Sequence, residues 1–445
     1  MIEKELQKIF NKLYGEHEVD AVRQRYATLI EKMSKSAGFP ESELCNASED
    51  IRMFSAPGRT ELAGNHTDHN RGKVLAASIQ LDSVAVVRKR NDNTVFFRST
   101  GFPDVKVKLT DSTGAPDLQS KREEEGTTEA LIRGIAAELN RRSHNVGGFS
   151  ANADSTVLSG SGLSSSAAVE ALLCRIFDSL YGEGKLKFLE IAQIGQFAEN
   201  VYFGKPCGLM DQIACASGGA VSIDFADAAQ PAVKRINFDL AGAGYILCVV
   251  NTGGSHADLT ADYASIPCEM KAVAAFFGKS VLGELEKETV LSSAADLRNS
   301  LGDRALLRSL HFFDENARVD AMTTALTEME NAPTAAAKQN ALNSYLDLVN
   351  ESGDSSWKLL QNVYSAHQPK TQGISAALAL TKDFFRKQKI YGACRVHGGG
   401  FAGTIQVYLP QDAMNAYRAN IETVFGAGSV TTLRIRPIGA VELVF

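Results

Sequence analysis

Apolar residues recur along the chain with two different periods, and these periods predict its elements. Five apolar residues at helical spacing predict an amphipathic helix at the start of the chain: Ile2, Leu6, Ile9, Phe10 and Leu13. A second helical pattern covers residues 17–36. From Ile51 to Ser99 the chain consists of short apolar or β-branched runs broken by Gly, Asn and Asp, which are typical of strands and turns.

The remaining chain continues this alternation between helical and strand patterns. Residues 110–128 are polar and rich in charge, which predicts a solvated loop, and 129–142 have helical spacing. The segment 155–182 predicts a strand, a Gly/Ser loop and a helix in succession. The stretch 262–387 is almost wholly helical in pattern, and strand patterns return after it around a helix at 414–425.

The distribution of these elements predicts the fold class and its division into domains. A strand-rich first part and a helix-rich later part with strands near its end indicate an α+β protein. A chain of 445 residues is long for one core, at roughly 150 residues per domain. We therefore predict two domains, an N-terminal domain at 1–240 and a C-terminal domain at 241–445.

Composition and charge exclude several classes of protein. Hydrophobic residues make up 44% of the chain and charged residues 22%, which is ordinary for a globular protein. The net charge is −6 and no long basic stripe is present, so nucleic-acid binding is not expected. No apolar run is long enough to span a membrane. Seven scattered Cys without a Cys-x-x-Cys pair predict reduced thiols, and with them a cytoplasmic protein.

The Gly/Ser loop GSGLSSSAA at 160–168 carries the clearest candidate chemistry. It lies between a predicted strand and a predicted helix, where glycines allow close approach and the free N–H groups of the helix attract an anion. The alternative is a flexible turn whose serines cap the helix. It is not a P-loop of the Walker A type, because the only GKS, at 278–280, has Val273 in place of the first Gly.

Two further segments combine glycine with polar side chains. VHGGGFAG at 396–403 precedes a predicted strand and by itself indicates only a tight turn. APGRTELAGNHTDHNRG at 56–72 is dense in titratable residues, and a zinc site formed by His66, Asp68 and His69 is one interpretation. No matching His or carboxylate cluster stands elsewhere in the sequence, so zinc is not expected.

Taken together, the three segments resemble the motifs of the GHMP small-molecule kinases, and within them the galactokinases. That family opens its first motif roughly as APGRVNLIGEHTDYNxG and has GSGLSSSAA and GARxTGGGFGG as its second and third motifs. PCGLMDQ at 206–212 is similar to the family's PCGIMDQ, and NESGDSSWKLL at 350–360 to its NxSHxSL stretch. The resemblance runs in the family's order from about residue 50 onward.

The resemblance implies a fold, a reaction and a set of site residues. The fold is the two-domain GHMP kinase fold with the active site in the interdomain cleft, and the reaction is phosphorylation of a sugar at its anomeric hydroxyl by ATP with Mg²⁺. Asp211 would be the general base or electrostatic orienter, and Arg59 would hold it ionised and neutralise charge on the phosphate. Ser166 and Glu199 would bind Mg²⁺. The remaining implied contacts are Gly160, Gly162, Ser164 and Ser165 for the ATP phosphates, and His66, Asp68, Gly208 and Tyr263 for the sugar.

Several positions depart from the family pattern, and four of them are singled out here. They are Asn65 in place of Glu, His69 in place of Tyr, Ala402 in place of Gly and Gly353 in place of His. The first position binds the sugar's C6 hydroxyl in the family, and an amide there both donates and accepts, so Asn65 could bind a hydroxyl and also tolerate a carboxylate. Plant galacturonate kinases also have an uncharged residue there.

Three hypotheses about function follow from these departures. The first is a galactokinase. The second is a related sugar 1-kinase with altered C6 specificity, such as a galacturonate kinase. The third is a non-catalytic sensor, but such regulators lose the Ser-Ala pair that Ser166 and Ala167 preserve here. A monomer that binds only small molecules is expected.

Overall fold

A computed structural model describes residues 2–35, 51–157, 162–254 and 259–444. The strands are β1 (Ile51–Ala63), β2 (Lys73–Lys89), β3 (Thr94–Ser99), β4 (Val105–Lys108), β5 (Phe149–Ser155), β6 (Ala220–Asp224), β7 (Ala232–Ile236), β8 (Tyr245–Asn251), β9 (Ala393–His397), β10 (Thr404–Pro410), β11 (Val430–Leu433) and β12 (Val441–Leu443). The helices are α1 (Ile2–Tyr14), α2 (Val19–Lys35), α3 (Thr128–Arg141), α4 (Ser165–Tyr181), α5 (Phe188–Phe197), α6 (Met210–Ser217), α7 (Thr260–Phe276), α8 (Lys287–Ser292), α9 (Ala294–Leu301), α10 (Asp303–Glu330), α11 (Ala335–Ser355), α12 (Gly373–Gln388) and α13 (Met414–Phe425). The mixed α and β content confirms the predicted fold class.

The larger sheet is built around the long hairpin of β1 and β2. Its strand order is β12-β1-β2-β5-β3-β4, and β6 and β7 extend it from the first half of β2. All of its pairs are antiparallel except that of β3 with β5. The apolar runs 73–81 and 83–90 are separated by Asp82 and indicate two strands, whereas the structure has the single strand β2, whose first half pairs with β6 and whose second half pairs with β5.

The smaller sheet has the antiparallel order β11-β8-β10-β9. Its first strand in the chain, β8, begins at Tyr245, shortly after β7 ends at Ile236. The division into domains at 1–240 and 241–445 stays a prediction. The later strand β12 nevertheless pairs with β1 in the larger sheet, with Met53 opposite Leu443. The chain therefore returns to its first sheet after building the second.

Helices cover both sheets and join them. Apolar residues of α1 and α2 pack on one face of the larger sheet, and α3, α4 and α5 pack on the other. The helices α10 and α11 share a buried cluster with β1, β2 and β8, which connects the two sheets. The segment 110–128 is irregular and largely exposed, as predicted. Among the described residues no helix is both long and apolar enough to cross a membrane.

Candidate active site

The central part of the site forms where β1 meets the Gly/Ser loop. The backbone N–H of Arg59 donates to Leu163 O at 3.0 Å, and its Nη1 donates to Gly162 O. A side chain on Gly58 would place its Cβ 2.8 Å from Leu163 O, so only glycine lets the strand approach this closely. The first and second motifs are thus in direct contact.

Arg59 and Asp211 form a two-point ion pair at this junction. Arg59 Nε donates to Asp211 Oδ1 at 2.7 Å and Nη2 donates to Oδ2 at 2.6 Å, while Ser164 Oγ also donates to Oδ2. Arg59 is buried, but the Asp211 side chain is 32% exposed. Burial raises the pKa of Asp211, but the charge and hydrogen bonds of Arg59 and the Ser164 hydroxyl outweigh it and leave that pKa below its ordinary value. The site therefore contains a partly open carboxylate anion.

Two helices begin beside this carboxylate. Asp211 is the second residue of α6, and Ser164 precedes α4 in a left-handed conformation with φ 58°. Helix N-termini carry partial positive charge and unpaired N–H groups, so both helices favour negative charge at this place. Gly162 and Ser165 of the Gly/Ser loop lie at this place, while Gly160 lies outside the described residues. Phosphate binding by the loop stays a prediction.

A second carboxylate, that of Glu199, lies beside the first turn of α4. Ser166 Oγ donates to Glu199 Oε1 at 3.0 Å, and Lys205 Nζ donates to the same oxygen at 2.9 Å. Glu199 belongs to a π-helical turn that follows α5. Mg²⁺ prefers oxygen donors and binds proteins through one or two carboxylates together with phosphate oxygens, so this pair fits that ion. Among the described residues no group of three or more His, Cys, Asp or Glu is arranged to hold a metal ion.

Two buried residues beside Glu199, namely Gln212 and Glu170, were not predicted from the sequence. Gln212 Nε2 donates to Glu199 Oε2 and to Glu170 Oε2, each at 3.0 Å. Glu170 is fully buried on α4, and burial together with the charge of Glu199 raises its pKa well above the ordinary value. The sequence signal for Glu170 was an acidic residue among apolar ones, one turn after Ser166 in the same predicted helix.

The predicted sugar residues lie around the first and third motifs. A Cβ on Gly208 would overlap Asp68 Oδ2, which brings the PCGLMDQ segment against the first motif. His66 Nε2 donates to Gly399 O at 2.9 Å, and Tyr263 Oη donates to Gly400 O at 2.9 Å. Burial lowers the pKa of His66 to about 4, so the ring is neutral at physiological pH.

Asn65 is the most deeply buried of the predicted sugar residues, with 1% of its surface exposed. Its Nδ2 donates to Glu61 Oε1 at 3.0 Å and to Gly398 O at 2.7 Å, and its Oδ1 accepts from Asn362 Nδ2 at 2.7 Å. All of its polar atoms are therefore used by the protein. Contact between Asn65 and a sugar stays a prediction.

The match to family models agrees with this geometry. Residues 130–219 match the N-terminal domain of the GHMP kinases, and residues 42–89 match the galactokinase galactose-binding signature. A galactokinase of Streptomyces coelicolor is 30% identical over 386 residues, covering 86% of this chain and 91% of that protein. The chain belongs to the galactokinase family. The predicted family is thereby confirmed, and with it a phosphotransferase that has an alcohol group as acceptor.

Other galactokinases and solved structures agree with this membership. A galactokinase of Glaesserella parasuis is 28% identical, covering 82% of this chain and 86% of that protein. The fold matches the crystal structure of Lactococcus lactis galactokinase complexed with galactose, with a TM-score of 0.71, 22% identity and full coverage of both chains. A crystal structure of mevalonate kinase has a TM-score of 0.55 at 13% identity, covering 86% of this chain and 98% of that one. The GHMP kinase fold is therefore confirmed.

Proposed function

We propose that this protein is an ATP-dependent galactokinase that converts D-galactose and ATP to galactose 1-phosphate and ADP. One observation carries the proposal: Asp211 is paired with Arg59 at two points and still exposes 32% of its side chain, beside the N-termini of α4 and α6. A carboxylate that is kept ionised and accessible next to a phosphate loop is suited to direct a hydroxyl group toward a phosphate.

Each residue of the pair has a distinct part in the proposed reaction. The anomeric oxygen forms a bond to the γ-phosphorus of ATP as the bond from that phosphorus to the bridging oxygen of ADP breaks. Asp211 orients the hydroxyl group and accepts its proton. Arg59 remains protonated, because the nearby Asp211 charge raises its pKa against the effect of burial, and it stabilises charge on the phosphoryl oxygens.

The phosphates of ATP are proposed to lie at the Gly/Ser loop. Gly160, Gly162, Ser164 and Ser165 would donate to phosphate oxygens at the start of α4. Ser166 and Glu199 would hold Mg²⁺, which neutralises phosphate charge when it is bound. Lys205 now contacts the buried Glu199, and because the lysine side chain is 60% exposed it can turn toward solvent when a cation takes its place beside that carboxylate.

The sugar is proposed to lie between the first motif and the loop of the third motif. His66, Asp68, Gly208 and Tyr263 are the proposed contacts, because they surround the point where these segments meet. We propose that this region is a cleft between an N-terminal domain at 1–240 and a C-terminal domain at 241–445. We also propose a cytoplasmic monomer, and six described cysteines with free thiols are consistent with a reducing compartment.

The test is release of ADP from Mg-ATP with a panel of sugars: D-galactose, D-galacturonate, D-glucose, N-acetylgalactosamine and L-arabinose. We expect D-galactose to give the highest kcat/KM and Asp211→Asn to abolish the signal while ATP still binds. Preference for another sugar would contradict the proposed substrate. No turnover with any sugar would contradict the proposed reaction.

A further inference from the structure

At two positions of the first motif, this chain has an acid and an amide in the reverse order of the galactokinase pattern. The family motif has Asn at position 61 and Glu at position 65, whereas this chain has Glu61 and Asn65. In the structure the two side chains touch, with Asn65 Nδ2 at 3.0 and 3.3 Å from the oxygens of Glu61. An acid and an amide are thus both present and in contact, with their positions exchanged.

Glu61 forms a buried ion pair that links the two sheets. Its Oε1 accepts from Arg395 Nη2 at 2.5 Å, and Arg395 Nη1 donates to Leu62 O at 2.7 Å. Glu61 is on β1 and Arg395 on β9, and both are buried. Removal of one partner from such a pair leaves an uncompensated buried charge. The Glu61 carboxylate is therefore needed as the partner charge of Arg395.

Asn65 connects three segments around this ion pair. Its amide contacts Gly398 in the glycine loop of the third motif, which we call the third loop (398–403), and Asn362, which itself donates to Gly399 O at 3.1 Å. The backbone oxygen of Asn65 accepts from His311 Nε2 on α10 at 2.9 Å. The residue that follows, His66, contacts the third loop directly at Gly399 O.

We propose that Asn65 is a positioning residue that fixes the sugar-binding segment to the third loop, and that it does not contact the sugar. An amide offers two N–H donors and one oxygen, and the protein uses all three here. A side chain that is 1% exposed has no free surface to offer, in contrast to Asp211 in the same site. The inference rests on the proposed function for its kinetic test but not for its stability test.

The kinetic test compares D-galactose with 6-deoxy-D-galactose, which lacks the C6 hydroxyl group. Each sugar is measured as a substrate, or as a competitive inhibitor if it is not turned over, with wild type and Asn65→Ala. A positioning residue affects both sugars alike, so we expect the apparent affinity for each to fall by about the same factor, on the order of tenfold. A tenfold or larger change in the ratio between the two sugars would identify Asn65 as a C6 ligand and overturn the proposal.

Asn362→Ser is the matched control, because it removes the donor to Asn65 Oδ1 without altering position 65. The variant thus removes the hydrogen bond between Asn362 and Asn65 by a change at Asn362. We expect it to change the affinity for both sugars in the same direction as Asn65→Ala, with a double variant close to either single variant. Independent, additive effects would show that the two amides do not act together.

The exchange itself is tested by thermal unfolding, which requires no substrate. Asn65→Glu places a second carboxylate beside Glu61, and we expect the Tm to fall by about 5 °C or more. The double variant Glu61→Asn/Asn65→Glu keeps one carboxylate and one amide beside Arg395, so the arginine retains a nearby opposite charge, and we expect it to recover most of that loss. A double variant less stable than Asn65→Glu would contradict the exchange. This result is independent of whether galactose is the substrate.

Discussion

Two Arg–Asp pairs in this protein each contain a buried arginine, but their carboxylates differ in exposure. Arg59 and Asp211 lie at the Gly/Ser loop, whereas Arg436 donates to Asp82 Oδ2 at 3.0 Å between the sheet and the helices α1 and α2. Both Arg436 and Asp82 are fully buried. The two pairs differ in what else surrounds the carboxylate.

Asp82 has every side of its carboxylate occupied by the protein. Arg25 Nη1 and Tyr14 Oη each donate to it at 2.6 Å, and Ser55 Oγ donates as well. These donors come from α1, α2, β1 and the segment before β12, so the carboxylate joins four parts of the fold. Asp211 has only Arg59 and Ser164 among its side-chain hydrogen-bond partners in the described residues. The number of protein groups that donate to the carboxylate therefore distinguishes the structural Asp82 from Asp211, which we propose is left open for a substrate.

The largest expected effect is that of Asp211→Asn on turnover. The amide cannot accept the hydroxyl proton or balance Arg59, so we expect kcat to fall by about 10³-fold. We expect the Tm to fall because Arg59 loses its partner charge, but by less than in Asp82→Asn, because the Asp211 side chain is 32% exposed and solvent reaches this pair. Steady-state kinetics and thermal unfolding on the same sample test both statements, and near-normal turnover in a folded variant would remove Asp211 from its role.

Asp82→Asn is the structural counterpart. It leaves Arg25 and Arg436 without a partner charge, and we expect a loss of about 3–5 kcal/mol in the free energy of unfolding. Urea unfolding measures this loss. The kcat of the molecules that remain folded should stay near that of wild type. A large loss of kcat with unchanged stability would erase the distinction between the two pairs.

Glu199→Gln sharpens the comparison with an intermediate case. Glu199 is buried like Asp82, but its partner Lys205 is mostly exposed. We expect the variant to need at least about tenfold more Mg²⁺ for half-maximal activity. Binding of Mn²⁺ in the presence of ADP, followed by electron paramagnetic resonance, checks the metal affinity without turnover. Lys205→Met is the control, and we expect it not to weaken Mn²⁺ binding.

The smallest effect concerns acid stability. Burial raises the pKa of Asp82, but Arg25, Arg436 and hydrogen bonds outweigh it, so the folded-state pKa lies below the ordinary value of 3.8. A lowered pKa stabilises the protein above about pH 4 and loses that contribution as the pH falls through the folded-state value. Asp82→Asn should therefore flatten the dependence of unfolding free energy on pH below about 4. An unchanged slope would show that Asp82 does not contribute to acid unfolding.

Helical spacing predicted α1, α2 and α3 because a helical pattern is encoded locally. The contact between Arg59 and Asp211, which are 152 residues apart, could be predicted only from the resemblance to the galactokinase motifs. The contacts of Asn65 were not predictable, since Gly398 and Asn362 are separated from it by about three hundred residues. The pairing of β12 with β1 was missed for the same reason. A short strand carries no signal for which sheet it joins.

The position of β12 has a consequence for synthesis of the protein on the ribosome. Roughly two hundred residues separate the end of β7 from β12, and Arg436 lies just before that strand. While those residues are still untranslated, the nascent chain has an open edge at β1 and an Asp82 that lacks one of its two arginines. Open edges favour pairing with other chains. Completion of the larger sheet therefore waits for translation of the residues that build the smaller one, and during that interval the edge at β1 is open to other chains.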